Sequence, residues 1–341
     1  MRAGFIEEPG KAYFKEVPEP QIEKSTDVKI KVIVTGICGS EVHAYHGKHA
    51  WRVPPLVSGH EFAGIVVEVG SEVTSVKVGD RVTAEPQYGC GDCPQCRIGK
   101  YNICKNKKIL GATYWSGSFG EYVVVPEKTV VHLGDDVSFE EGALIEPIAV
   151  GMHAVRERDV SIGQNILIIG AGTIGLGVYL SAKICNPSKI IVADVVDYNL
   201  EMARELGCEY TINSMKEDLE AEVKKLTNGE GVDITFLAFG NAPVVESASK
   251  CTKEGGVISE IAVIPNGTGC PYNMIQVKQQ SLIGSNMYVR KDYEVVVENM
   301  AKGHIDSKKM VSKIYPIEEF TAAMEMADKR TEPVVKVMLK F

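Results

Sequence analysis

The sequence predicts an α/β protein of two domains, one β-rich and one built on a doubly wound parallel sheet, and three observations carry this. The 341 residues are about twice the usual size of one domain. Up to about residue 125 the apolar runs are short, strand-like and bordered by Gly, Pro or Asp, as half-buried strands are. From about residue 149 apolar runs are separated by stretches of helical periodicity, and strand alternating with helix argues a parallel sheet with helices on both faces.

In the first part, 28–34 (VKIKVIV), 62–69 (FAGIVVEV) and 121–125 (EYVVV) read as strands of an antiparallel, barrel-like arrangement. In the second, strands are expected at 166–169, 189–193, 233–238, 256–262 and 281–284, with helices at 174–185, 198–206 and 244–251. A helix around 293–302 and a strand at 334–339 close the chain, the last strand returning to the first domain. The stretch 160–182 carries no charge and is long enough, at roughly 20 residues, to be tested as a membrane span. Gly163, Gly170, Gly172, Gly175 and Gly177 interrupt it, so a buried strand, turn and helix is the better reading.

With 45% hydrophobic and 24% charged residues, the composition is that of an ordinary globular protein. Acidic residues outnumber basic ones 45 to 37, a net charge of −8, which disfavours a phosphate backbone as partner. Neither nucleic acid nor membrane is expected. The opening MRAGFIEEPG has no basic region followed by an apolar run, and a cytoplasmic location is expected.

Nine cysteines in such a protein are more readily ligands or buried apolar groups than disulfides. Cys90, Cys93, Cys96 and Cys104 form a C-x2-C-x2-C-x7-C cluster in a Gly/Pro-rich loop, where short turns aim thiolates at one tetrahedral point, and this predicts a closed structural zinc. An iron–sulfur cluster also takes four thiolates, and the four could be reduced bystanders; zinc is preferred because nothing else implies electron transfer. Cys185, Cys208, Cys251 and Cys270 have no partner spacing. Cys38 follows a strand in GICGSEVH, and His60 and Glu61 open another. One Cys, one His and a carboxylate make a mixed ligand set that leaves a fourth position open, as catalytic zinc requires.

Residues 165–175, NILIIGAGTIG, place G-x-G-x-x-G between a strand and a helix, the context a dinucleotide site demands. Gly170 permits the tight turn, Gly172 lets backbone approach a pyrophosphate, and Gly175 lets helix pack on strand; Thr173 and Ile174 begin the helix whose amino terminus faces the phosphates. Asp194 ends the next strand, KIIVAD, nineteen residues after Gly175, where a carboxylate can accept from ribose hydroxyls. No Lys or Arg occurs at 195–203, so NAD is expected over NADP.

With these motifs in chain order, the sequence resembles the zinc-containing medium-chain alcohol/polyol dehydrogenases over essentially its whole length. The residues that carry the resemblance are CGSEVH at 38–43, GHEFAGIVVEVG at 59–70, VGDRV at 78–82, GCGDCPQCRIGKYNIC at 89–104 and EGALIEPIAVGMHA at 141–154. The last resembles the sorbitol and butanediol dehydrogenase branch, because Glu146 stands where the classical alcohol dehydrogenases have a cysteine ligand.

The resemblance implies a GroES-like catalytic domain from 1–148 and 289–341 and a Rossmann NAD-binding domain at 149–288. It implies one structural and one catalytic zinc, the latter held by Cys38 and His60 with Glu61 or Glu146 as third ligand. The resemblance leaves two arrangements open: the two carboxylates exchange, or one of them hydrogen-bonds the zinc-bound water. Ser40 would take the substrate proton and His43 pass it towards solvent. The implied reaction is hydride transfer between NAD and a secondary alcohol of a polyol, sugar alcohol or vicinal diol, with zinc as Lewis acid, in a homodimer or homotetramer. The rivals are an L-threonine 3-dehydrogenase-like enzyme, a catalytically silent NAD-binding homologue and a zinc-free quinone reductase-like member. Two departures stand out. Glu41 replaces the usual Asp, which reads as a conservative surface change. Asn286-Met287-Tyr288 stands where the sorbitol branch has F-R-Y, leaving Tyr288 as a possible substrate contact, with Arg290 and Lys291 as solvated loop charges.

Overall fold

A computed structural model describes residues 1–264 and 267–341. The chain divides into two compact units, Met1–Glu146 with Val289–Gly303 and Met310–Phe341, and Pro147–Tyr288 with His304–Lys309.

The first unit is organised by a seven-stranded sheet. Its central pair, Asp27–Gly36 and Glu61–Val69, runs antiparallel with Val28 opposite Val69 and Gly36 opposite Glu61. Val28, Ile30, Val32, Phe62 and Val66 are buried in one core, the alternation expected of strands with one covered face. The C-terminal strand Lys336–Lys340 adds antiparallel to the end of Asp27–Gly36, pairing Met338 with Gly36. Gly36 therefore lies between the starts of two strands, one beginning at Glu61 and the other at Lys336. A second core joins the amino-terminal strand to helix Phe320–Lys329 through Ile6, Phe119, Phe320 and Leu339, with Phe119 and Phe320 edge to face at 5.3 Å.

The second unit is a six-stranded parallel sheet in the order Tyr210–Asn213, Lys189–Asp194, Asn165–Ile169, Val232–Leu237, Thr252–Glu260, Ser281–Gly284. Chain order runs outward from Asn165–Ile169 in both directions, the doubly wound pattern. Leu167, Ile169, Ile191, Leu237 and Ile258 fill its core. The uncharged stretch 160–182 is the strand Asn165–Ile169, a turn and the helix Thr173–Lys183. No helix among the described residues is long and apolar enough to cross a membrane.

Candidate active site and metal centres

Cys90, Cys93, Cys96 and Cys104 present sulfur atoms that all lie within 4.8 Å of one another. Four thiolates at ~2.3 Å from a tetrahedral zinc are about 3.8 Å apart, and the Cys90–Cys96 and Cys90–Cys104 separations are 3.9 and 3.6 Å. The loop is shaped for this: a Cβ at Gly89 would sit 2.6 Å from the Cys96 sulfur, so only glycine admits that thiol. The set fits a closed zinc site. Among the described residues no cysteine is in a disulfide.

The second centre gathers at the end of the sheet. Cys38 is the N-cap of the short helix Gly39–Tyr45, and Glu41 at its third position closes a capping box, accepting the Cys38 N–H at 3.1 Å. That bond turns Glu41 inward. It is fully buried, which corrects the expectation of a surface change, and its Oε1 lies 2.8 Å from His60 Nδ1 and accepts the Ser58 hydroxyl at 3.1 Å. Burial pushes the Glu41 carboxyl up, but the charges of His60 and then Arg52 outweigh it and hold Glu41 well below the usual carboxylate range. With Nδ1 committed to a carboxylate, His60 keeps Nε2 for a metal.

Around His60 two ligand sets meet, Cys38–Glu41–His60 and His60–Glu61–Glu146, each with donor atoms within 4.8 Å. His60 is thus shared between the two sets, with Cys38 in one and Glu61 and Glu146 in the other. The two candidate carboxylates differ in their neighbours. Glu61 accepts two bonds from Lys336 Nζ, at 2.8 and 2.7 Å, and Lys336 also donates to the Ile37 carbonyl at 3.2 Å. A Cβ on Gly36 would overlap the Glu61 carboxylate, so the strand crossing keeps a glycine. Burial pulls the Lys336 ammonium down, and the Glu61 charge, with Cys38 behind it, lifts it above its ordinary value. Ser40 and His43 lie three residues apart on the Gly39–Tyr45 helix, hence on one face, Ser40 half-buried and His43 exposed. Arg52 and Lys336 were not anticipated.

The glycine turn is built as its spacing implies. Gly170 has φ of +97°, and a Cβ at Gly175 would collide with the Gly170 carbonyl. Gly172 is different: its φ is −75°, open to any residue, and a Cβ there would meet no atom within 4 Å. Neither backbone nor packing requires that glycine, which leaves a group from outside the chain, as a pyrophosphate at the helix N-terminus would be. Asp194 fastens the turn: its carboxylate accepts Ala171 N–H at 2.6 Å, Val195 and Val196 N–H at 2.7 and 2.8 Å, and Asn199 Nδ2 at 3.2 Å. Two substitutions should separate these roles. Gly175→Ala should destabilise the protein by about 1–3 kcal/mol through overpacking, whereas Gly172→Val should leave thermal unfolding unchanged and weaken NADH binding at least roughly tenfold, or 1.4 kcal/mol. Melting curves and NADH fluorescence titrations read both, and a Gly172→Val protein that binds NADH normally would count against the cradle.

Residues 24–135 match the family model of the alcohol dehydrogenase GroES-like domain and residues 173–302 that of the zinc-binding dehydrogenases. Sorbitol dehydrogenase of Bacillus subtilis is 34% identical over 99% of this chain and 97% of its own. The chain belongs to the zinc-binding dehydrogenase family. Among solved structures, 2R,3R-butanediol dehydrogenase of Bacillus subtilis superposes with a TM-score of 0.90 at 30% identity, covering 100% of this chain and 99% of that one. A zinc-binding dehydrogenase of Sinorhizobium meliloti bound to NADP gives 0.91 at 29%, over 100% and 99%. Membership makes the protein an oxidoreductase, with the GroES-like and doubly wound folds expected from its sequence.

Two expectations for the dehydrogenase are corrected. Tyr288 is fully buried and offers no surface to a substrate. Arg290 is not a solvated loop charge: it begins the helix Arg290–Ala301, donates to the Lys128 and Val130 carbonyls at 3.2 and 2.9 Å, and bonds Glu294 at 2.9 Å. The dehydrogenase also holds an unanticipated buried acid. Glu85 accepts the Tyr101 hydroxyl at 2.7 Å, and burial, opposed in part by that bond, pushes its carboxyl from 4.5 up to about 7. The folded chain then binds this proton more tightly than the unfolded one. Its stabilising contribution is full below about pH 4.5 and is lost as pH rises through about 7, by up to ~3 kcal/mol. Glu85→Gln should flatten that part of the stability–pH curve in denaturant titrations; an unchanged slope would show that Glu85 titrates normally.

Proposed function

We propose that this dehydrogenase interconverts a secondary alcohol of a polyol, sugar alcohol or vicinal diol with the ketone, using NAD. The observation that carries the reading is that His60 shares one donor set with Cys38 and another with Glu61 and Glu146, close to a half-buried Ser40. Zinc held by Cys38, His60 and one of these carboxylates would supply Lewis-acid polarisation of the alcohol oxygen. Glu61 and Glu146 are the two candidates for the third ligand, and of these Glu61 is ion-paired with Lys336; either one, with the thiolate, would balance the dication. Ser40 Oγ accepts the substrate hydroxyl proton, and His43, exposed three residues on, delivers it to water. The first unit acts as the catalytic domain and the second binds the cofactor. Asp194, at the turn, places a negative charge where a 2′-phosphate would lie, and this favours NAD.

Initial rates with polyols, diols and L-threonine, NAD and NADP, before and after chelation, test this. Chelator-sensitive oxidation of a polyol or diol with NAD is expected. Oxidation of threonine alone, or equal efficiency with NADP, would overturn the corresponding part. We further propose a homodimer or homotetramer in the cytoplasm. The exposed edge strand Ser281–Gly284 offers an unpaired ladder to a second copy, and the reduced cysteines suit a reducing compartment. Light scattering would detect a monomer and cell fractionation another location.

A further inference from the structure

We infer that Arg52 is a positioning residue for the metal ligand His60, acting through Glu41; this rests on the assignment of His60 to the catalytic metal. The segment that carries Arg52 inverts ordinary preferences. Trp51 and Val53 are 50% and 52% exposed, while the arginine between them is 4% exposed, although large apolar residues normally go inside and arginine outside. The backbone on both sides is pinned to produce this. His49 Nδ1 accepts the Trp51 and Arg52 N–H groups, both at 3.1 Å. Thr113 donates its N–H to the Trp51 carbonyl at 3.1 Å, and its hydroxyl accepts the Val53 N–H at 3.1 Å.

The side chain so delivered reaches the Glu41 carboxylate, with His49 Nε2 3.3 Å from another of its nitrogens. Arg52 Nε is 3.1 Å from Glu41 Oε1, the atom that also faces His60 Nδ1 at 2.8 Å. A second guanidinium nitrogen stands 3.2 Å from His60 Nδ1 and donates to the Leu110 carbonyl at 3.4 Å. A guanidinium has donors and no acceptor, so it cannot receive the Nδ1 proton of His60. Nδ1 cannot donate to Glu41 Oε1 and accept from the guanidinium at once; the carboxylate is the shorter contact, 2.8 against 3.2 Å, and a charge-assisted acceptor, so Nδ1 donates to it and Nε2 is the ring nitrogen turned to the metal. The guanidinium also supplies the counter-charge to a carboxylate that no water reaches, and a buried ion pair that loses one partner leaves the other charge uncompensated.

The test is zinc affinity, measured on purified holoenzyme by competition with a chromophoric chelator, with the four-cysteine site as an internal control of folding. Arg52→Met should weaken the catalytic-site zinc by roughly 10–100-fold, the usual effect of removing a group that orients a ligand, while the cysteine-site zinc is held as in the parent. Arg52→Lys, which keeps the charge but not the planar fork, should recover part of the loss. Because the effect runs through Glu41, Arg52→Met should change affinity less than about twofold in a Glu41→Gln background, where coupled residues are non-additive. Affinity within about twofold of the parent in Arg52→Met, or the same loss with and without Glu41, overturns the inference. Should Arg52→Met fail to fold, Arg52→Lys decides: several-fold weaker catalytic-site zinc supports the role, and parental affinity refutes it. A parent that holds zinc at Cys38 and His60 but oxidises no polyol would sink the proposed substrate and leave this inference standing.

Discussion

Cys38→Ser lowers kcat by at least roughly 10³-fold, removes one of two zinc ions and leaves thermal unfolding close to that of the parent. The magnitude follows from losing several kcal/mol of charge stabilisation at the reacting oxygen, with each 1.36 kcal/mol worth about tenfold in rate. The unchanged melting follows from the surroundings. Cys38 caps a helix of seven residues whose capping box is closed by Glu41, and neither the sheet register nor the cores depend on its sulfur. Cys93→Ser should show the opposite profile. Its sulfur accepts the Cys96 N–H at 3.5 Å, and the loop around it is organised by the four thiols, so loss of a structural metal should remove several kcal/mol of folding energy. That corresponds to a fall in Tm of roughly 10 °C. Elemental analysis, melting curves and steady-state rates together read the pair, and identical profiles for the two variants would abolish the distinction between a structural and a catalytic centre.

Ser40→Ala is expected to lose roughly 10²–10⁴-fold in kcat, the range for a positioned proton-transfer group, and His43→Ala about tenfold. The asymmetry comes from exposure. Ser40 is half-buried on the inner part of the helix face, where water cannot readily replace its hydroxyl, whereas His43 is exposed and solvent can stand in for it. Added imidazole should therefore restore much of the His43→Ala activity and none of that of Ser40→Ala. Near-normal turnover of Ser40→Ala would show that the proton leaves by another route.

The features legible in the sequence are those written in short spacing. Four cysteines within fifteen residues, a G-x-G-x-x-G between strand and helix, a Cys just after one strand and a His at the head of another all announce themselves locally. The parallel sheet was legible because its strands Asn165–Ile169 and Lys189–Asp194 carry continuous apolar runs, 166–169 and 190–193, that are mostly buried. The strand Tyr210–Asn213 was not, since four residues with two half-buried positions carry no clear period. The helix Leu219–Leu226 was hidden by its charges, three acidic or basic residues standing in its last five. The side chains that surround the candidate metal ligands were the least legible. Glu41 read as a conservative surface change because no local spacing shows that Arg52, Ser58 and His60, from other parts of the chain, claim it. Lys336 had no local signature at all; an isolated lysine in an apolar strand reads as an edge residue until the antiparallel pairing of Lys336–Lys340 with Asp27–Gly36 is known.

The ion pair between Glu61 and Lys336 spans 275 positions of the chain. At a synthesis rate of ~5–20 residues per second, the carboxylate leaves the ribosome roughly 15–55 seconds before the ammonium that will neutralise it. Between them emerges the whole of Pro147–Tyr288, a unit with its own sheet and core that can fold while the first unit still lacks its last strand. Until that strand arrives, the buried Glu61 carboxylate lacks the ammonium that neutralises it. The order of translation therefore makes the pairing of this carboxylate one of the last contacts of the first unit to form.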